Sequence, residues 1–229
     1  MPELDTTRRA PFARQLAAEA TGSFLLFAAV VGSGVMAQRL SGGNDGVALL
    51  ANAIATGAIL FVLITMLAPI SGAQMNPAVS LVAALRHDLR WREAAAFALV
   101  QLGAGILGVW AAHLMFGMPI LEVSPKPRTG IGQWAGEFVA TFGLILTIIG
   151  TARFRPDWIA PSVAAYITAA YWFTASTSFA NPAITIARSL TDSFAGIAPA
   201  DVPGFVLAQL AGALAGSALA SYLFPDAPV

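Results

Sequence analysis

The sequence contains no cysteine and few charged residues. Without cysteine, the chain cannot form disulfides, use a catalytic thiol or bind a metal through thiolates. Charged residues make up only 10% of the chain, whereas an average soluble domain has about 25%. The formal net charge is zero, so no excess of basic residues is available for binding nucleic acid. Because 57% of the 229 residues are hydrophobic, we predict an integral membrane protein.

Six apolar segments are long enough to cross a bilayer as α-helices. A hydrocarbon core of about 30 Å requires about 20 apolar residues in a helix. The first segment is too long for a signal peptide, so we expect it to be retained as a span. The loops are short, which predicts a single transmembrane domain over residues 1–229. The predicted spans are residues 15–38, 47–68, 93–116, 131–152, 158–175 and 203–224.

An Asn-Pro-Ala triplet occurs once in each half of the chain. Asn before Pro disfavours the helical conformation, and Pro suits the first helical position, so each triplet is typical of a helix start capped by Asn. The apolar segments that begin there, residues 76–86 and 181–192, reach only about half way across the core at about 1.5 Å per residue. We therefore predict two re-entrant half-helices. The triplets are Asn76, Pro77 and Ala78, and Asn181, Pro182 and Ala183.

The two halves of the chain repeat the same order of segments. Each half has a span with one Glu, a second span, an Asn-Pro-Ala half-helix and a span with Gln-Leu. Three spans are an odd number, so repeat 1 (about residues 15–116) and repeat 2 (about residues 131–224) must have opposite orientations. Such inverted repeats with broken helices are typical of a solute pathway near the membrane midplane. The repeated acids and amides are Glu19, Glu137, Gln101 and Gln209.

The distribution of Arg and Lys predicts that both termini lie in the cytoplasm. Basic residues are enriched in cytoplasmic loops, and eight of them lie on the side of the termini against four on the other. The second half-helix then enters from outside, and the longest loop, residues 117–130, is external. The eight are Arg8, Arg9, Arg14, Arg86, Arg90, Arg92, Arg153 and Arg155, and the four are Arg39, Lys126, Arg128 and Arg188.

With both triplets and the paired Glu and Gln motifs, the chain resembles the aquaporin and aquaglyceroporin family, the major intrinsic proteins. The resemblance covers about residues 15–224 and implies an all-α membrane fold of six transmembrane helices plus two half-membrane helices that meet at the centre. It also implies a homotetramer in the cell (inner) membrane with one pore per subunit. Small neutral solutes, water and membrane lipid are the expected partners, with no cofactor and no metal.

The half-helices predict how the pore excludes ions. They enter from opposite sides, so their N-termini point to one place near the midplane. Each N-terminus carries about half a positive charge, which repels cations and protons there. Asn76 and Asn181 can each offer an amide donor to a passing solute. The alternative is that these two residues are helix caps only.

Glu19 and Glu137 are ionisable groups inside spans, where such groups are costly and usually functional. In the family, such Glu residues accept hydrogen bonds from the backbone that leads into each half-helix, which suits a carboxylate facing unpaired N–H groups. The alternative is a proton relay in a coupled transporter. Gln101 and Gln209 are predicted to form hydrogen bonds between helices.

The family's outer constriction has four positions, which set selectivity. Spacing from the triplets puts them on Thr56, Ala169, Ser178 and Ile184, and a shift of one or two residues would bring in Phe179.

Ile184 stands where the family normally has an Arg directly after the second triplet. The nearest Arg is Arg188, about 6 Å further out along a helix. We predict that Arg188 lies in the external vestibule; the alternative is that its side chain extends back to the pore. The constriction is therefore expected to be arginine-free, wide and less polar than a water filter. Ile184 and residues 187–192 resemble a bacterial subgroup of aquaglyceroporins associated with arsenic detoxification.

These features predict a passive channel, and no enzyme, for small uncharged solutes. The resemblance implies glycerol-like polyols, neutral metalloid hydroxides or small organoarsenicals, and water. One alternative is a proton-coupled secondary transporter that uses Glu19 and Glu137, and another is a mainly water-conducting aquaporin. A proton- or ion-conducting channel is a further alternative because the filter Arg is absent, but we expect ions to be excluded at the Asn-Pro-Ala junction. No catalytic Ser/His pair, Asp pair or metal-ligand cluster is found at midplane depth, so an intramembrane enzyme is disfavoured.

Overall fold

The computed structural model describes residues 10–225, and every regular element in that range is a helix. Short 3-10 turns cover Pro156–Trp158, Arg188–Leu190 and Pro199–Asp201. The α-helices are α1 (Phe12–Leu40), α2 (Asp45–Ser71), α3 (Pro77–Leu85), α4 (Trp91–Phe116), α5 (Ile131–Phe154), α6 (Ile159–Phe173), α7 (Pro182–Ala187) and α8 (Val202–Leu223).

The predicted all-helical membrane fold is confirmed. Five helices (α1, α2, α4, α5, and α8 with the turn before it) are long and apolar enough to cross a membrane. The 15-residue helix α6 occupies the remaining predicted span. The half-helices are α3, with nine residues, and α7, with six. The second is shorter than predicted because the chain tightens into the 3-10 turn that begins at Arg188.

One helix end differs from the sequence prediction. The second span was expected to end before Pro69, but α2 continues through Pro69 to Ser71. It ends where Gly72 adopts a left-handed conformation with φ of 87°, and the N–H of Gly72 donates to Ala68 O at 3.0 Å. Glycine takes this conformation without the steric cost that a side chain would bring.

The two halves pack in the same way. In the first half α1 packs against α2 and α4, and in the second half α5 packs against α6 and α8, while α2 and α6 join the halves. Two glycines allow equivalent close contacts. A Cβ on Gly108 of α4 would overlap the backbone oxygen of Phe24, and one on Gly212 of α8 would overlap that of Phe138. Small residues of this kind let membrane helices approach closely.

The half-helices lie inside this bundle. Helix α3 contacts α4 and α8, and α7 contacts the same two helices, so each half-helix touches both halves of the chain. The two half-helices also contact each other. This arrangement places irregular backbone at membrane depth only where protein surrounds it, as the absence of water in a bilayer core requires.

Candidate functional site

The site is built around the starts of the two half-helices. Asn76 has an extended backbone, and its Oδ1 accepts from the N–H of Ala78 at 2.9 Å. Asn181 has the same conformation, and its Oδ1 accepts from Ala183 N at 3.0 Å and from Ile184 N at 3.3 Å. These bonds satisfy backbone donors that a helix start leaves without partners.

Each Asn also bonds to the opposite half of the chain. Asn76 Nδ2 donates to Ala180 O at 2.7 Å, and Asn181 Nδ2 donates to Met75 O at 2.8 Å. A carboxamide carries two N–H donors, so one hydrogen of each Nδ2 is left for another acceptor. Both residues line the central cavity. The two Asn residues can therefore serve as helix caps and as donors to a solute at the same time.

The backbone that leads into each half-helix is strained in the same places. Ala73 and Met75 both have φ of 47°, and their counterparts Ser178 and Ala180 have φ of 49° and 47°. Residues other than glycine adopt such angles at a cost of order 1–3 kcal/mol and only where the surroundings impose them. The bend turns successive N–H groups towards a single acceptor in each half.

In the first half that acceptor is Glu19. Its Oε1 accepts from Gln74 N at 2.9 Å and from Ser71 Oγ at 2.6 Å. Its Oε2 accepts from Met75 N at 2.6 Å and from Gln101 Nε2 at 2.8 Å. Four donors therefore hold one fully buried carboxylate, which is the kind of environment that makes burial of a charge tolerable.

Glu137 does the same in the second half. Its Oε1 accepts from Phe179 N at 2.8 Å, and its Oε2 accepts from Ala180 N at 2.8 Å and from Gln209 Nε2 at 2.5 Å. Gln209 also donates to Thr185 Oγ1 of the half-helix at 2.8 Å. Neither Glu is among the described residues that line the cavity, and each is bonded to backbone donors. This geometry favours the bracing role over the proton relay.

The cavity lies between the halves and has a volume of about 100 Å³. That is several times the roughly 10–15 Å³ that one water molecule needs. Its wall is mostly apolar, with side chains such as Leu26, Ile64, Leu144 and Ile167 from α1, α2, α5 and α6. The polar residues among its described lining are Thr56, Gln74, Asn76, Tyr171, Ser178, Asn181 and Arg188.

Four of the five filter positions predicted from the sequence line this cavity: Thr56, Ser178, Phe179 and Ile184. The fifth, Ala169, is wrong. It is exposed on the outer surface of α6 and is absent from the described lining. A helix turns about 100° per residue, so Ala169 lies on the opposite side from the cavity-lining side chains of α6. Those side chains are Ile159, Val163, Ile167 and Tyr171, spaced four residues apart.

Tyr171 is therefore a residue of the site that the sequence analysis missed. Its hydroxyl lies 3.1 Å from Thr56 Oγ1, so a hydrogen bond joins the neighbouring helices α2 and α6 at the cavity wall. The available signal was the four-residue spacing of Val163, Ile167 and Tyr171 along the span. That spacing does not single out one face by itself, because the span is apolar on nearly all sides.

The predicted position of Arg188 in an open vestibule is also wrong. The residue is only 2% exposed and lines the cavity. Its guanidinium carbon lies 3.4 Å from the centre of the Phe179 ring, and its Nε donates to Ala195 O. The Cα–Cβ bonds of a helix tilt towards its N-terminus. A long side chain one turn after Ile184 therefore reaches back towards the pore, and the cavity is not arginine-free.

A second arginine, Arg128, lies behind the same ring. It comes from the loop 117–130, is 9% exposed, and has its guanidinium carbon 5.0 Å from the centre of the Phe179 ring. Its Nε donates to Gly196 O at 2.8 Å and its Nη1 donates to Ser176 O at 3.1 Å. The sequence analysis used this residue only to predict orientation, because nothing local indicates that a loop residue folds inward.

The neighbouring Lys126 experiences the positive charge of this region. Burial, and then the charges of Arg128 and Arg188, lower the pKa of the Lys126 ammonium to about 8. Its Nζ donates to Phe194 O at 2.9 Å. Burial likewise lowers the pKa of the Arg128 guanidinium. The positive charges around Lys126, Arg128 and Arg188 are thus partly desolvated.

Comparisons with known proteins identify relatives of the whole chain. The family model "Major intrinsic protein" matches residues 6–157. Aquaglyceroporin AqpS of Rhizobium meliloti is 54% identical over 227 residues, which cover 99% of this chain and 94% of that protein. Aquaporin NIP1-4 of Oryza sativa subsp. japonica is 29% identical over 215 residues, covering 90% of this chain and 75% of the relative.

The fold also matches a solved structure. The aquaglyceroporin from Plasmodium falciparum superimposes with a TM-score of 0.68, covering 94% of this chain and 96% of that protein. The two sequences are 19% identical, so this likeness supports the fold alone.

Proposed function

We propose that this chain, which belongs to the major intrinsic protein family, is a passive transmembrane channel for small uncharged solutes. Aquaglyceroporins of this family are channels and not enzymes, and the chain is a multi-pass membrane protein. The observation that carries the proposal is the pair of Asn76 and Asn181 amides in the wall of the central cavity. We propose glycerol-like polyols, neutral metalloid hydroxides or small organoarsenicals, and water as solutes.

The cavity wall suits a solute that has hydroxyl groups on one side and carbon on the other. Polar groups of Gln74, Asn76, Asn181 and Arg188 belong to the half-helices and the backbone around them, while the apolar side chains come from the long helices. A polyol can donate to and accept from the polar groups while its CH groups contact the apolar wall, so few polar atoms lose their partners on entry. The name of the AqpS relative, an aquaglyceroporin, favours polyols over water alone.

Charge explains why ions should not pass. The half-helices α3 and α7 start at Asn76 and Asn181, whose amides contact opposite halves of the chain. The partial positive charge of each helix N-terminus acts on the same short stretch of the cavity. Arg188 adds a full positive charge to the wall. Protons and metal cations are therefore repelled, while neutral solutes are not.

The filter combines apolar side chains with hydroxyl groups and a cation. Ile184 and Phe179 provide apolar surface, Thr56 and Tyr171 bond to each other, and Arg188 supplies the cation that is missing directly after the triplet. We propose that the displacement of Arg by one turn, with Ile184 in its place, leaves room for solutes larger than water. Neutral metalloid hydroxides are similar to glycerol in their outward hydroxyl groups, so the same wall would accept them.

Stopped-flow light scattering on proteoliposomes tests this function with water, glycerol, a five-carbon polyol and neutral arsenous acid. We expect glycerol and arsenous acid to enter faster than into protein-free vesicles, with no dependence on a pH gradient. The control is Arg39→Gln, because Arg39 is exposed and bonds to Phe116 O away from the cavity. Saturable, pH-driven uptake would favour the coupled transporter, and a flux of water only would favour the aquaporin alternative.

We also propose the location and assembly that the sequence predicted. The excess of Arg on one side favours cytoplasmic termini in the cell (inner) membrane. Large apolar side chains such as Leu99, Leu114 and Leu207 are about 70% exposed, which suits contact with lipid or with other subunits. Cross-linking in membranes followed by denaturing electrophoresis tests the homotetramer; a ladder ending at the dimer would contradict it.

A further inference from the structure

The cation at Arg188 has unused hydrogen-bond donors. A guanidinium carries five N–H groups. Of the three nitrogens in the Arg188 guanidinium, only Nε has a hydrogen-bond partner within residues 10–225, and that partner is Ala195 O. The side chain is nevertheless 2% exposed and lines the cavity. Neither Nη group has a hydrogen-bond partner among the described residues, and the side chain borders the cavity. Buried charged side chains are normally paired, because an unpaired one is costly.

The acids of the surrounding elements do not neutralise this charge directly. Within the described residues, no carboxylate oxygen lies within 4 Å of the guanidinium of Arg188 or of Arg128. Glu137 accepts from Phe179 N, Ala180 N and Gln209, as described above. The Oδ2 of Asp201 accepts from the backbone N–H of Arg128 at 2.7 Å. Two buried guanidinium groups thus contact one ring, Phe179, without a carboxylate partner.

A neighbouring hydroxyl is also unused. Ser178 is 2% exposed and lines the same cavity. Its Oγ is buried and has no hydrogen-bond partner among the described residues. A hydroxyl can donate one hydrogen bond to an acceptor. The cavity wall therefore combines a guanidinium that has unpartnered N–H donors with a spare O–H donor.

We propose that Arg188 and Ser178 form a binding subsite for a small planar carboxylate of the size of formate. The planar fork of a guanidinium matches two carboxylate oxygens, and the Ser178 hydroxyl supplies a third donor. A neutral polyol uses the same donors but leaves the positive charge uncompensated, so the site distinguishes an anion from a neutral solute of equal size. Occupation of the subsite places the anion in the path of the neutral solutes and competes with their passage.

The subsite rests on the proposed channel cavity, and it is tested by a measurement that does not need solute flux. Saturation-transfer NMR on the full chain in detergent micelles detects weak binding of formate, with neutral formamide as the matched probe. We expect formate to bind at least about tenfold more tightly than formamide, since a hydrogen-bonded charge pair is usually worth about ten- to hundredfold in affinity.

The variants separate recognition from folding. Arg188→Lys keeps the charge and removes the fork, and Ser178→Ala removes a hydroxyl that bonds to no described residue, so both should fold. We expect each to weaken formate binding several-fold, and Arg188→Gln to abolish it. The control Arg39→Gln should bind formate as the unchanged protein does. Equal binding of formate and formamide, or unchanged formate binding in both Arg188→Lys and Ser178→Ala, would overturn the proposal.

Two further results complete the test. Chloride displacing formate with equal affinity would contradict a fork for planar anions, because a single spherical ion does not match two parallel donors as two carboxylate oxygens do. Glycerol flux measured without formate tests the channel itself: no flux with intact formate binding would overturn the channel function alone. With flux present, external formate should slow glycerol entry in the unchanged protein and not in Arg188→Gln.

Discussion

At the scale of single residues, the selectivity of the channel depends on whether a side chain lies on the cavity face or the outer face of its helix. Thr56 of α2 lines the cavity and bonds to Tyr171 of α6, whereas Ala169, two residues earlier in α6, faces outward. The two positions were equivalent members of the predicted filter. Within α6, a shift of two residues turns a side chain by about 200°, so Tyr171 faces the cavity and Ala169 does not.

This difference predicts opposite results for two enlargements. Thr56→Phe places a ring in the cavity and should reduce glycerol flux by at least about tenfold, because the ring takes up space along the path of the solute. Ala169→Phe adds the same ring to the outer surface and should leave the flux within about twofold. Stopped-flow glycerol uptake at matched protein content measures both. A strong loss of flux in Ala169→Phe would show that the α6 face is assigned incorrectly.

At the scale of helices, close packing depends on glycine where two backbones meet. Gly108 of α4 touches the backbone of Phe24 in α1, while Gly103, five residues earlier in the same helix, has nothing within 4 Å of a built Cβ. The same residue type thus has two different roles in one helix.

Replacement of each glycine by alanine tests this packing. Gly108→Ala should lower the thermal unfolding midpoint in detergent, because the backbone oxygen of Phe24 cannot move aside as a flexible side chain would. An overpacked site typically costs about 1–3 kcal/mol. Gly103→Ala should leave stability unchanged or raise it by about 0.5–1 kcal/mol, the helix preference of alanine over glycine. Equal destabilisation by both changes would show that the contact is not specific.

Helix number and length were predictable because the bilayer fixes them. An apolar run of about 20 residues has one way to satisfy its backbone in lipid, and the predicted spans differ from the helices by only a few residues. The rotation of α6 was not predictable, because it is apolar on nearly all sides and hydropathy does not indicate a direction. The inward position of Arg188 depends on the tight turn Arg188–Leu190 and on a contact with Ala195, which local sequence does not encode.

The repeated Glu and Gln contacts of the site could be predicted from the sequence more completely than the residues of its filter. Glu19 and Glu137, with Gln101 and Gln209, were recognised as a repeated pair, and a repeated pattern implies a repeated role. Their hydrogen bonds follow the same pattern in both halves. The filter lacks this redundancy. Arg128, for example, comes from the loop 117–130 and has no partner of the same kind in the first half.

At the scale of the whole molecule, the lack of cysteine has a functional consequence. No thiol is present in 229 residues, so a thiol-specific mercurial should not inhibit glycerol flux. Ser178→Cys introduces a thiol of similar size into the cavity wall and should make the flux sensitive to the mercurial. A reducing agent should restore it. Inhibition of the unchanged protein, measured by stopped-flow uptake before and after treatment, would contradict the expectation.

The two bonds between Asn76 and Ala180 and between Asn181 and Met75 also determine when the pore can form. They join residues 104 and 106 positions apart along the chain. Closure of so long a loop costs entropy that local contacts do not recover. During synthesis the first half enters the membrane while its amide has no carbonyl to bond. The donors of the pore therefore reach their working positions only after the second half has inserted, and neither half of the protein contains a pore by itself.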